Sequence, residues 1–146
     1  MKPLNFPQFQ FRFQKYQNKI RIFSRLRKKF LILTPEEWVR QHCVHYLLDC
    51  KNYSAQLMAE EVTIKLNGLT KRCDIVTYYS SGDIKLIVEC KAPEVKISQN
   101  TFDQIARYNM VLDADFLMIT NGLNHYFCKL DLEQETYTFL KELPEH

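Results

Sequence analysis

No stretch of this chain approaches the roughly 20 consecutive apolar residues of a membrane-spanning helix. Its first residues also lack the compact apolar core and small-residue cleavage site of a signal peptide. The expected setting is the cytoplasm, with no membrane partner. Five cysteines, at positions 43, 50, 73, 90 and 128, include no CxxC pair and leave an odd count, which disfavours zinc and disulfides. Each falls in a helix or strand pattern and reads as a small buried hydrophobe. No internal repeat, low-complexity tract or long linker interrupts the 146 residues, the length of one ordinary domain, of which 46% are hydrophobic.

Acidic residues are missing from the first 35 positions, which carry nine basic ones: Lys2, Arg12, Lys15, Lys19, Arg21, Arg25, Arg27, Lys28 and Lys29. The remaining residues hold all 17 acidic and the other 11 basic side chains, so a +9 segment precedes a −6 remainder. Clustered Lys and Arg displace counterions from nucleic acid, and Arg25, Arg27, Lys28 and Lys29 are the candidate contacts. The same cluster could instead dock on the acidic remainder of its own domain.

The period-2 run Phe9, Phe11, Phe13 reads as a half-buried strand. With Ile20 to Phe23 after Gln17-Asn18-Lys19 it predicts a hairpin over residues 8–23, and a third short strand spans 30–33. Residues 1–33 are thus expected to form a basic β-hairpin arm, and 34–146 the main domain. Thr34, Pro35 and Glu37 form an N-terminal capping signature for a helix running to about Asp49. Glu37 has a sufficient role there as a cap, whereas Glu36, beside Arg40, is free to point toward a site. Strands are expected at 57–66, 71–79 and 84–91. A helix capped by Asn100 or Thr101 should run to Asp113, followed by a strand at 116–120 buried on both faces and closing strands at about 125–131 and 135–141.

The chemistry concentrates where strand 84–91 ends in Glu89-Cys90-Lys91. A glutamate and a lysine at i and i+2 share one strand face. If Ser80-Ser81-Gly82-Asp83 makes a tight turn, cross-strand partners sum to 163 and Asp74 lies directly opposite Glu89. Like charges so placed repel unless neutralised, and a divalent cation is the economical answer. At least one carboxyl should then have a raised pKa. The ordinary alternative for Glu-x-Lys is a solvated ion pair worth about 0 to 1 kcal/mol.

A helix, an antiparallel hairpin carrying Asp…Glu-x-Lys, a crossover helix and a buried strand together resemble the PD-(D/E)XK nuclease superfamily. Residues 34–143 are similar, more narrowly, to the nuclease domain at the N-terminus of type I restriction enzyme R subunits. The resemblance rests on Glu36-Glu37-Trp38-Val39-Arg40-Gln41, Val88-Glu89-Cys90-Lys91-Ala92-Pro93 and Thr120-Asn121-Gly122. It implies a restriction-endonuclease-like α/β fold, a central mixed sheet flanked by helices, and Mg²⁺-dependent cleavage of DNA, with Mn²⁺ as a substitute. It implies that Asp74, Glu89 and Glu36 hold the metal and that Lys91 is catalytic beside Asp74 and Glu89. Gln104 and Tyr108, in a Gln-x-x-x-Tyr spacing, would support the site and contact DNA. Cys73 departs from the proline that names the superfamily. The chain as given carries no translocating motor, so the expectation is a stand-alone nuclease, with a motor or specificity subunit or a homodimer as conceivable partners. The alternative is a non-catalytic nucleic-acid-binding or adaptor module of a restriction or DNA-processing system.

Overall fold

The structure, a computed structural model, describes residues 1–145. The arm is a three-stranded antiparallel sheet of β1 (Phe13–Tyr16), β2 (Lys19–Ser24) and β3 (Lys29–Ile32). Gln17 and Asn18 make its first turn with φ of 50° and 63°, the left-handed pair that suits a two-residue hairpin. The strand expected from residue 8 starts only at Phe13. Phe9 and Phe11 instead lay their rings on the next helix, Phe11 lying 4.7 Å from His42 and 5.1 Å from Trp38 between ring centroids. Their alternation reflected two rings reaching one helix surface, not a sheet partner.

Helix α1 (Pro35–His45) is capped by Thr34, whose hydroxyl accepts the Glu37 amide at 3.0 Å. It continues to Cys50 as a wider π-helical turn. The main sheet contains β4 (Met58–Leu66), β5 (Leu69–Tyr78), β6 (Ile84–Cys90), β7 (Phe116–Thr120), β8 (His125–Asp131) and β9 (Thr136–Leu140), hydrogen-bonded in that order. Only the β6/β7 pair is parallel, because α2 (Gln99–Met110) carries the chain between them. Ser98, not Asn100 or Thr101, caps α2 by accepting the Thr101 amide at 3.1 Å, and the helix stops three residues before Asp113.

The sheet divides two apolar cores. Val39 and Cys43 of α1 and Leu47 of the π turn pack on Ile75, Leu86, Val88 and Met118, while Phe102, Ala106 and Met110 of α2 pack on Val76, Ile87, Leu117 and Ile119. A central strand buried on both faces reads as a continuous apolar run, which is why β6 and β7 were visible as strands without alternation. The expected mixed α/β sheet flanked by helices is therefore what forms, with the arm sheet beside it. Of the cysteines, Cys43, Cys73, Cys90 and Cys128 are buried as expected, but Cys50 is exposed at the end of the π turn. Among the described residues no helix is long and apolar enough to cross a membrane.

The N-terminal segment adds a proton-sensitive contact. Phe6, Phe9 and Phe11 surround His42 at centroid distances of 5.7, 6.1 and 4.7 Å, and the His42 Nδ1 lies 2.8 Å from the Trp38 carbonyl. Burial holds His42, His45 and His125 below the ordinary 6.5, with the Arg25 charge adding to the effect at His45. The unfolded chain then binds more protons than the folded one just below that value. The stabilisation is complete above pH 6.5 and is lost as pH falls through the depressed folded values. We expect the melting temperature to drop between about pH 7.5 and about pH 5.5, and His42→Phe to flatten part of that slope. A calorimetric pH series checks this, and a flat profile would show that the rings leave the helix at no cost.

Candidate active site at the β5/β6 divergence

Asp74 sits where two ladders are interrupted together. The β4/β5 register runs Glu60↔Ile75 and then Val62↔Cys73, leaving Glu61 and Asp74 unpaired, and Glu61 has a φ of 49°. A non-glycine residue in that region marks a strained or special position. The interruption reverses the alternation of both strands. Glu60 and Ile75 face α1, whereas Val62 and Cys73 face the α2 core.

The β5/β6 register sums to 163 as expected over Ile75↔Val88, Val76↔Ile87 and Thr77↔Leu86. The turn differs from the tight one expected. It closes on a Tyr79 amide to Asp83 carbonyl bond of 2.8 Å, and a bulge leaves Lys85 without a partner between Leu86 and Ile84. That extra residue restores the register. Pairing ends at Ile75, however, so Asp74 and Glu89 do not meet as a bonded pair of opposed carboxylates. Asp74 turns its Oδ2 to accept the Cys90 amide at 2.7 Å, replacing a backbone partner with a side-chain oxygen. Its Oδ1 lies 3.3 Å from Nη2 of Arg40 on α1. Glu89 points the other way, its Oε1 2.5 Å from the Lys71 ammonium.

The expected mutual repulsion is thus replaced by two separate counterions. Glu89 has a raised pKa, but burial is its main cause. The Lys71 hydrogen bond and charge work against that rise, while the Asp74 charge adds to it. Lys71 is the residue that periodicity missed. Three positions from Asp74, it would lie on the opposite face of a regular strand, and only the reversal at Glu61 and Asp74 delivers it to the Glu89 side.

Arg40 is the second missed residue. Its guanidinium lies 2.6 Å from Glu37, 3.1 Å from Glu36, 3.3 Å from Glu61 and 3.3 Å from Asp74, with only 6% of the side chain exposed. Burial disfavours its charge, yet the carboxylates of Glu37, Asp74 and Glu61 outweigh that and raise its pKa. Glu37 serves the cap through its amide alone. Its carboxylate is committed inward to Arg40 and, at 2.9 Å, to Gln41, while Glu36 is half exposed and shares the same Arg40 nitrogen as Asp74.

On the α2 side, Glu89, Lys91, Gln104 and Tyr108 line one cavity of about 280 Å³ together with Lys71. The Lys91 amide is held by the Thr120 carbonyl at 2.8 Å, which anchors this residue just past the end of β6. Lys71 lies 5.1 Å from the centroid of the Tyr108 ring. The arm cations divide. Arg25 pairs with Asp49 at 2.8 Å, and Arg27 with Glu60 at 3.2 Å and Glu61 at 2.7 Å. Lys28 and Lys29 are exposed.

Among the described residues, no three His, Cys, Asp or Glu side chains are arranged as a ready metal cage. The donor chemistry nonetheless suits a hard cation. Asp74, Glu36 and Glu89 offer only carboxylate oxygens, Asp74 and Glu36 already share one cationic nitrogen, and Mg²⁺ ordinarily takes one or two carboxylates plus water and phosphate. Comparison with curated proteins gives no match. A family model, described as the type I restriction enzyme R protein N terminus (HSDR_N), matches residues 35–144. That span runs from the start of α1 past the end of β9, and the chain accordingly belongs to the family of type I restriction enzyme R protein N-termini.

Proposed function

We propose that the chain is a Mg²⁺-dependent DNA nuclease of the PD-(D/E)XK type, acting in a restriction system. The family supports the restriction setting and DNA as the partner. The observation that carries the chemistry is the convergence of Glu89, Lys91, Gln104 and Tyr108, from two separate elements, on one cavity. Asp74 lies outside the lining of that cavity, but its bond to the amide of Cys90 ties it to the backbone between Glu89 and Lys91.

In this reading Asp74 and Glu89, helped by Glu36, hold Mg²⁺. The bound ion would ease deprotonation of a water and neutralise phosphate charge. Lys91 presents an ammonium to the phosphate as negative charge develops, or orients the attacking water. Gln104 and Tyr108 position the strand on the α2 side. Arg40 and Lys71 hold the Asp74 and Glu89 carboxylates apart until substrate and metal arrive.

One observation favours a second reading. Asp74 and Glu89 each already have a cation partner, as expected if the site has become a structural ion-pair network in a non-catalytic DNA-binding module. Incubation of plasmid and linear DNA with the purified protein separates the two. The nuclease reading expects products in Mg²⁺, none in EDTA and none from Asp74→Ala. DNA binding without cleavage and without Mn²⁺ binding would establish the adaptor reading instead.

A further inference from the structure

The arm sheet presents two unlike faces. Ile22 and Ser24 of β2 are buried toward the main domain, and the Ser24 hydroxyl donates to Glu60 at 2.7 Å. The register Tyr16↔Lys19, Arg21↔Ile32 and Phe23↔Phe30 puts those residues on the opposite, outward face. There, guanidinium groups lie over aromatic rings. Arg12 is 4.4 Å from the Phe23 centroid and 5.5 Å from that of Phe30, and Arg21 is 4.4 Å from that of Tyr16. Tyr16 and Ile32 are 47% and 50% exposed.

Unlike Arg25 and Arg27, Arg12, Lys19 and Arg21 form no ion pair among the described residues. The arm contains no acidic residue that could supply one. A face of unpaired cations and flat π surfaces fits a polyanion that also carries rings. Duplex DNA hides its base faces, whereas an unpaired strand exposes them to aromatic rings and guanidinium planes. The surface also leads somewhere. Arg21, Phe30 and Ile32 line one side of a cleft of about 810 Å³ whose other side includes Glu36, Arg40 and Glu61.

We propose that the outward face of β1, β2 and β3 is a stacking platform for an unpaired stretch of DNA, which it passes along the cleft toward the carboxylates around Arg40. The proposal rests on the nuclease reading for its choice of DNA, but the platform lies outside the residues matched by the family model. Lys28, in the turn before β3, and Lys29, its first residue, supply phosphate contacts only.

The test is fluorescence anisotropy with a labelled oligothymidylate and a labelled hairpin duplex, in EDTA so that nothing is cut. The double variant Arg12→Lys, Arg21→Lys keeps both charges and removes both guanidinium planes. It should weaken single-strand binding about tenfold and leave duplex binding and its salt dependence as in wild type. Tyr16→Ser, at an exposed position, should act in the same direction, with circular dichroism confirming that both variants fold. Equal losses on both DNAs, no loss on either, or no single-strand binding by wild type would each overturn the proposal. Cleavage by wild type with unaltered binding by the variants sinks the platform and leaves the nuclease. The selective binding loss in a protein that cuts nothing does the reverse.

Discussion

Lys91→Ala is expected to slow Mg²⁺-dependent cleavage by about a hundredfold to a thousandfold, the loss typical of removing one preorganised charge-stabilising donor. Mn²⁺ affinity should remain close to that of wild type, because an ammonium has no lone pair to coordinate. Asp74→Ala should lose both cleavage and metal binding. Titration calorimetry with Mn²⁺ beside the cleavage assay reads the difference, and an equal loss of metal binding in the two variants would contradict the assigned roles. The geometry also changes what Asp74→Asn should do. Two bare carboxylates in opposition would make that substitution stabilising. With Oδ2 on the Cys90 amide and Oδ1 facing Arg40, it should instead cost about 1 kcal/mol, a typical net value for one hydrogen bond.

Arg40→Ala should produce a large loss of stability. It would strip the shared cation from Glu36, Glu37, Glu61 and Asp74, of which Glu37 is buried with its carboxylate bound to Arg40 and Gln41. Removing one partner of a buried charge pair costs about 3 to 5 kcal/mol. For a chain of this size that corresponds to a fall of roughly 10 °C or more in the melting temperature. If Asp74 and Glu36 are metal ligands, the variant should also respond more strongly to Mg²⁺ than wild type, because a cation binding only the folded state restores the missing charge. Differential scanning calorimetry with and without Mg²⁺ measures both effects. An unchanged midpoint would mean that the carboxylates relax into solvent and that Arg40 organises nothing.

Local patterns made much of the frame readable. Thr34-Pro35 marked the start of α1, and the apolar runs at 84–90 and 116–120 marked β6 and β7. The register of 163 forms as expected, although by a different turn and a bulge at Lys85. Capping and burial on two faces are near-neighbour effects. They placed Glu89, Gln104 and Tyr108 on the elements where they are found and Lys91 one residue past the end of β6.

What periodicity could not supply was the direction in which Asp74 points. A strand pattern assumes unbroken alternation, and the paired irregularity at Glu61 and Asp74 breaks it in two strands at once. Neither residue type signals this, because the left-handed backbone at Glu61 is held by tertiary surroundings that include Arg27, Arg40 and Arg72 around its carboxylate. From that one interruption follow the turning of Asp74 to Arg40, the arrival of Lys71 beside Glu89 and the separation of two carboxylates that simple alternation would oppose. The arm divides in the same way. Composition alone declared it cationic, but only packing against Asp49, Glu60 and Glu61 decided that Arg25 and Arg27 are bound to their own domain while Arg12 and Arg21 face outward. Charge count is a property of the chain, whereas the partner of each charge depends on distances of a few ångströms between residues far apart in sequence.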